Sequence, residues 1–207
     1  MKLTTPLVIT SSRQLGSGGA FIGQLLAQKL NIFYADRYII NQAAKQLSVL
    51  EEDLESLDER TSSFWQVFKK SLSYGTPETF AIPQSISPTD DDLYLAEKEI
   101  IEHIATERSS VIIGRNSAYI LNEHPNIFNI FLHADISFRT ERIQKLYNVS
   151  EKIALTRIDK SDKDRALYNR THSGLDWLDL KRYDLVLKTS KIGLEQSVDL
   201  IMQCIES

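Results

Sequence analysis

A glycine-rich segment near the N-terminus is the strongest chemical signal in the sequence. Residues 12–20 read SRQLGSGGA; they follow the β-branched run 7–10 and precede an apolar pattern of helical period. Glycine lets the backbone curl with its N–H groups facing inward, and the start of the following helix adds a partial positive charge. We therefore expect a loop that binds phosphate groups, formed by Gly16, Ser17, Gly18, Gly19 and Ala20.

The loop departs from the common phosphate-binding pattern GxxxxGK[ST] at the two places that follow Gly18. Gly19 and Ala20 occupy the places of the lysine that contacts phosphate and of the hydroxyl that binds magnesium. Two interpretations of the loop stay open from these residues alone: a phosphate cradle, or a turn that lets a helix pack closely on a strand. Phosphoryl transfer would need a replacement cation, which Arg13 or a later arginine could supply.

Arginines recur at two later places. Gly114 and Arg115 come directly after the apolar run 111–113, so in a parallel sheet they lie at the same edge as the glycine loop. A guanidinium group there could bind phosphate through two parallel hydrogen bonds. Two helical segments further along carry four more arginines among carboxylates, and these form either a solvated helix face or a set of cations that closes over a triphosphate: Arg139, Arg142, Arg157 and Arg165.

The elements that position these residues alternate along the chain. Apolar runs predict strands at 7–10, 110–114, 129–133 and 183–187, and helical periodicity predicts helices at 48–70, 93–106, 137–147, 151–169 and 194–205. This alternation favours an α/β fold with a mostly parallel sheet covered on both faces, and ligands bind such sheets beyond the carboxyl ends of the strands. Residues 71–92 are rich in Ser, Thr, Pro and Asp, which indicates a mobile flap.

Composition excludes several classes of protein. The chain has 207 residues, enough for one domain, and its 42% hydrophobic and 25% charged residues are typical of globular proteins. A net charge of -4 gives no basic field for a nucleic-acid polymer or an acidic membrane surface. No signal peptide or membrane-spanning run is recognisable, and the single cysteine, Cys204, permits no internal disulfide. We expect a cytoplasmic protein in which Cys204 is a buried thiol.

Several blocks occur in an order that resembles a known family. After the glycine loop come FYADR at 33–37, VIIGR at 111–115, DKDRALY at 162–168 and YDLVLKTS at 183–190. Together they are similar to the cytidylate kinase-like family of P-loop proteins over nearly the whole chain. Members commonly have an arginine directly after GSGG, where this chain has Ala20, and a small residue after Gly-Arg, where it has Asn116.

The resemblance implies a P-loop nucleoside triphosphate hydrolase-like fold, a three-layer α/β/α arrangement with a parallel core sheet. Residues 1–207 would form a single domain with the flap near 71–92 and a helical, arginine-bearing lid near 148–176. The glycine loop would hold the donor phosphates. Three arginines would stabilise charge during catalysis, and four residues would lie near the acceptor: Arg13, Arg157 and Arg165 in the first set, and Asp36, Arg37, Gly114 and Arg115 in the second.

The function that the resemblance implies is a kinase. It would transfer the γ-phosphoryl group of ATP, with Mg²⁺, to a small acceptor such as CMP or another nucleoside monophosphate. Gly19 and Ala20 favour an alternative, a non-catalytic nucleotide-binding regulator with a degenerate P-loop. A generic partner-binding α/β protein is a third hypothesis. The sequence identifies neither the acceptor nor the metal ligands, and it leaves self-association to a homo-oligomer open.

Overall fold

The computed structural model describes residues 5–36, 39 and 90–206 of the chain. The strands in this part are β1 (Val8–Arg13), β2 (Phe33–Ala35), β3 (Ser110–Ile113), β4 (Ile127–His133) and β5 (Leu185–Lys188). The α-helices are α1 (Gly19–Leu30), α2 (Asp90–Glu107), α3 (Ser117–Ile120), α4 (Ile136–Tyr147), α5 (Glu151–Ser173), α6 (Thr189–Ile192) and α7 (Leu194–Glu206), and a 3-10 turn spans Leu180–Arg182.

The five strands form one parallel sheet in the order β2-β3-β1-β4-β5. β1 is central, and Ile9 pairs with Val111 of β3 on one side and with Phe128 of β4 on the other. The chain leaves β1 toward one half of the sheet, whereas it leaves β4 toward the other half. In open α/β sheets such a reversal opens a crevice at the carboxyl ends of the strands, and here the glycine loop follows β1 at that place.

Successive side chains of β1 enter two different cores, because side chains alternate across a strand. Val8 packs with residues such as Ile101 of α2, whereas Ile9 packs with residues such as Leu26 of α1 and Ile201 of α7. All five are fully buried, and burial of each is worth about 1.5–3 kcal/mol. The sheet is therefore covered by helices on both faces, which confirms the predicted three-layer α/β/α arrangement.

Close packing of α1 on the sheet depends on a glycine. A Cβ atom at Gly23 would lie 2.5 Å from Cδ1 of Ile113, which is too near for two carbon atoms. The missing side chain lets α1 pack directly on β3. Because the glycine loop leads into α1, this packing also sets the position of the end of the loop.

Several boundaries differ from the sequence-based predictions. Helix α2 begins at Asp90, so residues 90–92 of the predicted flap are helical, while residues 71–89 and the predicted helix 48–70 lie outside the described residues. The last strand begins at Leu185 and not at residue 183. The Asp184 carboxylate accepts a hydrogen bond from the backbone N–H of Asn129 at 2.7 Å, so this residue joins β4 through its side chain before the ladder starts.

Cys204 is exposed, so the prediction of a buried thiol is wrong. Its neighbour Ile205 packs against the core, and adjacent residues of an α-helix point about 100° apart. The apolar stretch therefore buries one residue and turns the other to solvent. Among the described helices, none combines the length and apolar character needed to cross a bilayer.

Candidate nucleotide-binding site

The glycine loop joins the end of β1 to the start of α1 and curls tightly. Gly16 and Gly18 have φ angles of 85° and 91°, the left-handed region that glycine enters without strain. The Ser17 hydroxyl donates to the Gln14 carbonyl at 2.8 Å, so this side chain closes the loop from inside. Gly18 is the residue that precedes the first turn of α1, which leaves the unpaired N–H groups of that turn facing the crevice.

Neighbouring elements also require glycine at these positions. A Cβ atom at Gly16 would come within 2.9 Å of Cβ of Arg139, and one at Gly18 within 2.4 Å of Cδ2 of Leu194. Both interpretations of the loop therefore find support in the structure. The loop packs closely on α4 and α7, and its curl leaves a concave face with free backbone donors.

Side chains from two distant parts of the chain brace the loop. The Asp162 carboxylate of α5 accepts from the Leu15 N–H at 3.1 Å and also binds the guanidinium group of Arg139, which in turn donates to the Leu15 carbonyl at 3.3 Å. The buried Thr189 hydroxyl donates to the Ser17 carbonyl at 2.8 Å. These bonds fix the loop before any ligand arrives, which is the preorganisation that charge stabilisation requires.

A cavity of about 200 Å³ lies against the concave face of the loop. The loop supplies one wall, and helices α4 and α5 supply the opposite one through both apolar and cationic side chains. Within the described residues, the charged side chains of the lining are Arg13, Asp36, Arg142, Arg157 and Arg165. Four guanidinium groups against one carboxylate give the cavity a positive field, which suits a polyanionic ligand.

Arg165 and Arg13 are close neighbours in this positively charged cavity. The Arg165 guanidinium donates to the backbone carbonyl of Arg13 at 2.9 Å, and its nearest acidic partner, Asp162, is 3.9 Å away. Burial is the main cause, and repulsion from Arg13 the second, of a pKa of Arg165 that is lowered to about 9. The two cations thus destabilise each other in this buried place, and a bound anion would relieve that repulsion.

Arg142 and Arg157 face the cavity from the two helices opposite the loop. The Nε atom of Arg142 is buried and has no hydrogen-bond acceptor among the described residues, and burial lowers the pKa of this group. Arg157 lies over the ring of Tyr147 at 5.5 Å from its centre. Cation and ring together present a surface that is both charged and apolar, as a nucleotide is.

The neighbouring strand edge carries a second charged cluster, formed by Glu97, Arg115 and Tyr168. Arg115 binds the fully buried Glu97 at 3.0 Å, and the Tyr168 hydroxyl donates to the other carboxylate oxygen at 2.7 Å. Burial, together with the charge of Glu97, raises the pKa of Tyr168 well above its ordinary value. Gly114, Arg115 and Asn116 are three consecutive residues in the left-handed region, an arrangement that stores strain of order 1–3 kcal/mol per non-glycine residue.

The structure brings most of the sequence-predicted site residues together. Around the cavity lie Arg13, Gly16, Gly18, Gly19, Ala20, Asp36, Arg157 and Arg165. Ser17, Gly114 and Arg115 are not part of its lining, and Arg37 lies outside the described residues. Of the arginine series, Arg142 faces the cavity, whereas Arg139 is buried beneath the loop in its bond with Asp162. Their roles in binding and catalysis stay predictions.

Sequence reasoning missed Asp162, Thr189 and Glu97 as parts of the site. Glu97 left a signal, because it shares a helical stripe with the buried Ile101 and Ile104, and a carboxylate on an apolar stripe needs a buried partner. Asp162 and Thr189 lie in two of the blocks that resemble the family, but their contacts with the loop could not be read from the sequence, because only the fold brings their side chains to it.

The cavity contains a carboxylate that suits a magnesium ion arriving with phosphate. The described residues contain no group of three or more potential metal ligands, and Ala20 offers no hydroxyl. Asp36 is the carboxylate in the cavity lining. Mg²⁺ commonly binds through one or two carboxylates, with phosphate oxygens and water completing its shell, so Asp36 fits that pattern.

A parallel sheet with a glycine loop between its central strand and the following helix defines a P-loop nucleoside triphosphate hydrolase-like α/β protein. Solved structures agree: a protein from Eubacterium ventriosum is similar with a TM-score of 0.70 and 25% identity over 98% of this chain and 99% of that one. Shikimate kinase from Bacteroides thetaiotaomicron is similar in fold, with a TM-score of 0.55 and 13% identity over 97% and 99% of the two chains.

The sequence comparisons narrow the class to one family. Residues 8–191 match the model of the cytidylate kinase-like family, and the chain belongs to that family. Cytidylate kinase of Methanocaldococcus jannaschii is 23% identical over 206 residues, covering 97% of this chain and 98% of its own. Cytidylate kinase of Sulfolobus acidocaldarius is 22% identical over 188 residues, covering 90% and 87%.

Proposed function

We propose that the protein is a nucleotide kinase that transfers the γ-phosphoryl group of ATP to a small acceptor, with CMP as the first candidate. The observation that carries this proposal is the convergence of Arg13, Arg142, Arg157 and Arg165 on the cavity at the glycine loop. Family membership and the cytidylate kinases among the relatives support the same reaction. We expect the enzyme to act in the cytoplasm.

The chemistry follows from the charges at the loop. Phosphoryl transfer asks the protein for positioning and for stabilisation of negative charge, with little covalent work. The N–H groups at the start of α1 would hold the donor phosphates, and Arg157 and Arg165 of α5 would neutralise charge on the transferring group. Asp36 would hold Mg²⁺, which when bound draws charge from the phosphate oxygens.

The apolar side chains of the cavity would contact the base of the bound nucleotide. Phe21, Leu146 and Tyr147 are each more than one third exposed, and all three line the cavity beside the arginines. Exposed rings next to a cationic pocket provide a stacking surface for a base. In this arrangement the donor lies along α4 and its phosphates run toward Arg165.

One observation favours a second candidate, a nucleotide-binding regulator without catalytic activity. Gly19 and Ala20 remove the lysine and the hydroxyl that most P-loops present to phosphate and metal. Such a protein would keep the cradle and the arginines for binding and lack the groups that complete the transfer.

The two candidates are separated by measuring binding and turnover on the same sample. We expect saturating Mg·ATP to raise the melting temperature by several degrees, since a ligand at a hundred times its Kd adds about 2.7 kcal/mol and each kcal/mol is worth roughly 2–4 °C here. ADP formation is then followed with CMP, other nucleoside monophosphates, nucleosides and small alcohols.

Acceptor-dependent ADP formation supports the kinase. A melting shift without ADP formation from any acceptor supports the regulator. Absence of a shift with any nucleotide at millimolar concentration contradicts both.

A further inference from the structure

Gly19 stands where a P-loop lysine is expected, and the space beside it is already filled. A Cβ atom built on Gly19 would lie 2.6 Å from Cγ and 3.0 Å from Cβ of Arg13. The stem of Arg13, the last residue of β1, therefore occupies the place where a side chain at position 19 would begin.

The backbone gives no reason for glycine at position 19. Gly19 is the first residue of α1 and, unlike Gly16 and Gly18, has no left-handed φ angle. Glycine at a helical position costs about 1 kcal/mol relative to alanine, so some other requirement must hold it there. Contact with Arg13 is that requirement, because the nearest atoms to the missing Cβ all belong to the Arg13 side chain.

A second glycine accommodates the far end of the same side chain. A Cβ atom on Gly114 would come within 1.9 Å of the Nη1 atom of Arg13. Arg13 thus runs from β1 across the start of α1 to the turn after β3, and it is covered by glycine at both ends.

The charge of Arg13 is only partly balanced by its surroundings. Its side chain is 14% exposed, and its ion pair with Asp36 spans 3.9 Å, longer than a hydrogen bond. Burial lowers its pKa, Asp36 and Tyr34 act in the opposite direction, and Arg115 adds repulsion. The guanidinium group lines the cavity, where a phosphate would complete its coordination.

We propose that Arg13 supplies, from the end of β1, the phosphate-binding cation that lysine supplies from the helix in GxxxxGK[ST] loops, and that Gly19 is glycine to make room for it. The inference rests on the proposed nucleotide-binding function and assigns its missing cation. It also removes the main argument for a degenerate loop, because the positive charge has moved from the helix to the end of β1 without being lost.

The test is a double-mutant cycle that moves the cation back to the helix. The variants are Arg13→Ala, Gly19→Lys and the double variant Arg13→Ala/Gly19→Lys, each measured for the Kd of Mg·ATP by calorimetry and for ADP formation. Arg13→Ala should weaken binding about tenfold or more and lower turnover about 10²-fold, as loss of a preorganised cation does. Gly19→Lys should also be impaired, because its Cβ collides with the Arg13 stem.

The decisive result is the sign of the coupling. Two changes that harm the protein singly should together recover at least tenfold in Kd over Arg13→Ala, since the new lysine enters the space that the arginine vacated. Arg13→Ala/Gln24→Lys is the matched control: it carries the same charge on the same helix, at an exposed position outside the cavity lining, and should recover nothing.

Arg13→Met guards against a failure to fold. Methionine keeps an unbranched stem over Gly19 and removes only the charge, so it should weaken Mg·ATP binding as much as Arg13→Ala while the melting temperature without ligand stays within a few degrees. Undiminished binding in Arg13→Met, or a double variant no better than its parents, overturns the inference. If the wild-type protein binds ATP but forms no ADP, the proposed phosphoryl transfer is refuted, but the role of Arg13 in phosphate binding is not. The double-mutant cycle is then judged on the Kd of Mg·ATP alone.

Discussion

Arg115 and Arg165 both lie near the carboxyl ends of the strands with a carboxylate close by, yet their surroundings differ. Arg115 forms an ion pair with Glu97 at 3.0 Å, and the other oxygen of that carboxylate accepts a hydrogen bond from the Tyr168 hydroxyl. Arg165 is 3.9 Å from Asp162, whose oxygens are already shared with Leu15 and Arg139. One cation has its own counter-charge, whereas the other competes for one.

This difference suggests a criterion for dividing the arginines into those that stabilise the fold and those that are available to bind a ligand. A buried guanidinium with a dedicated carboxylate contributes to structure, and removal of either partner leaves an uncompensated charge. A guanidinium that lines a cavity with an incomplete partner set is available to an anion. On this criterion we predict that Arg115 and Arg139, which have close carboxylate partners, act mainly in the fold, and that Arg13, Arg142, Arg157 and Arg165, which line the cavity, contact the ligand.

The largest effect is expected from Arg165→Ala. An arginine that meets the transferring phosphoryl group is worth about 10³-fold or more in rate, so ADP formation should fall by that factor while the Kd of Mg·ATP rises far less. Steady-state kinetics and calorimetry measure the two quantities. Arg170→Ala, on the exposed side of the same helix, is the control and should leave both unchanged. A fall of several degrees in melting temperature with little change in turnover would place Arg165 in the framework group.

Glu97→Ala should show the opposite pattern. It strands the charge of Arg115 and removes the acceptor of the Tyr168 hydroxyl, so the free energy of unfolding should fall by about 3 kcal/mol. The melting temperature then drops by roughly 6–12 °C in a thermal scan. Glu102→Ala, which breaks an exposed 3.8 Å pair with Lys98 on the same helix, should cost under about 1 kcal/mol. A similar cost for both variants would show that burial of Glu97 carries no special weight.

A smaller loss is expected from Asp162→Asn. The amide oxygen can still accept from the Leu15 N–H, but the charge that binds Arg139 is gone, so stability should fall by about 1–3 kcal/mol. The urea midpoint of unfolding measures it. The control is Asp159→Asn, three residues earlier on the same helix. It breaks an exposed ion pair with Lys163 and should change the free energy of unfolding by no more than about 0.5 kcal/mol. If the two variants behave alike, Asp162 does not brace the loop.

The smallest effect should come from Ala20→Arg, which restores the cation common in the family. Ala20 is exposed at the rim of the cavity, and with Arg13 already inside, a further charge should change the rate of ADP formation less than about threefold. A much larger gain would mean that the wild-type site lacks a cation and that Arg13 does not provide it.

The sequence predicted the fold and the loop better than it predicted the partners of individual charges. Alternating apolar runs are local signals, so β1, β3 and their parallel arrangement could be read from residue order. Whether an arginine is paired depends on which helix crosses which strand, and this placed Arg139 beneath the loop while its neighbour in the series, Arg142, reached the cavity. Arg13 could be named as a substitute cation, but its route over Gly19 and Gly114 appears only in three dimensions.

The Thr189 hydroxyl has a consequence for how the protein matures. It binds the Ser17 carbonyl across a separation of 172 residues, so the loop receives this brace only after the chain as far as Thr189 has been synthesised. Contacts of such long range form late, because a long segment must be ordered before they yield any stabilisation. During synthesis the glycine loop therefore lacks this brace until β5 and the turn after it have docked, and we expect the loop to be less rigid before that point.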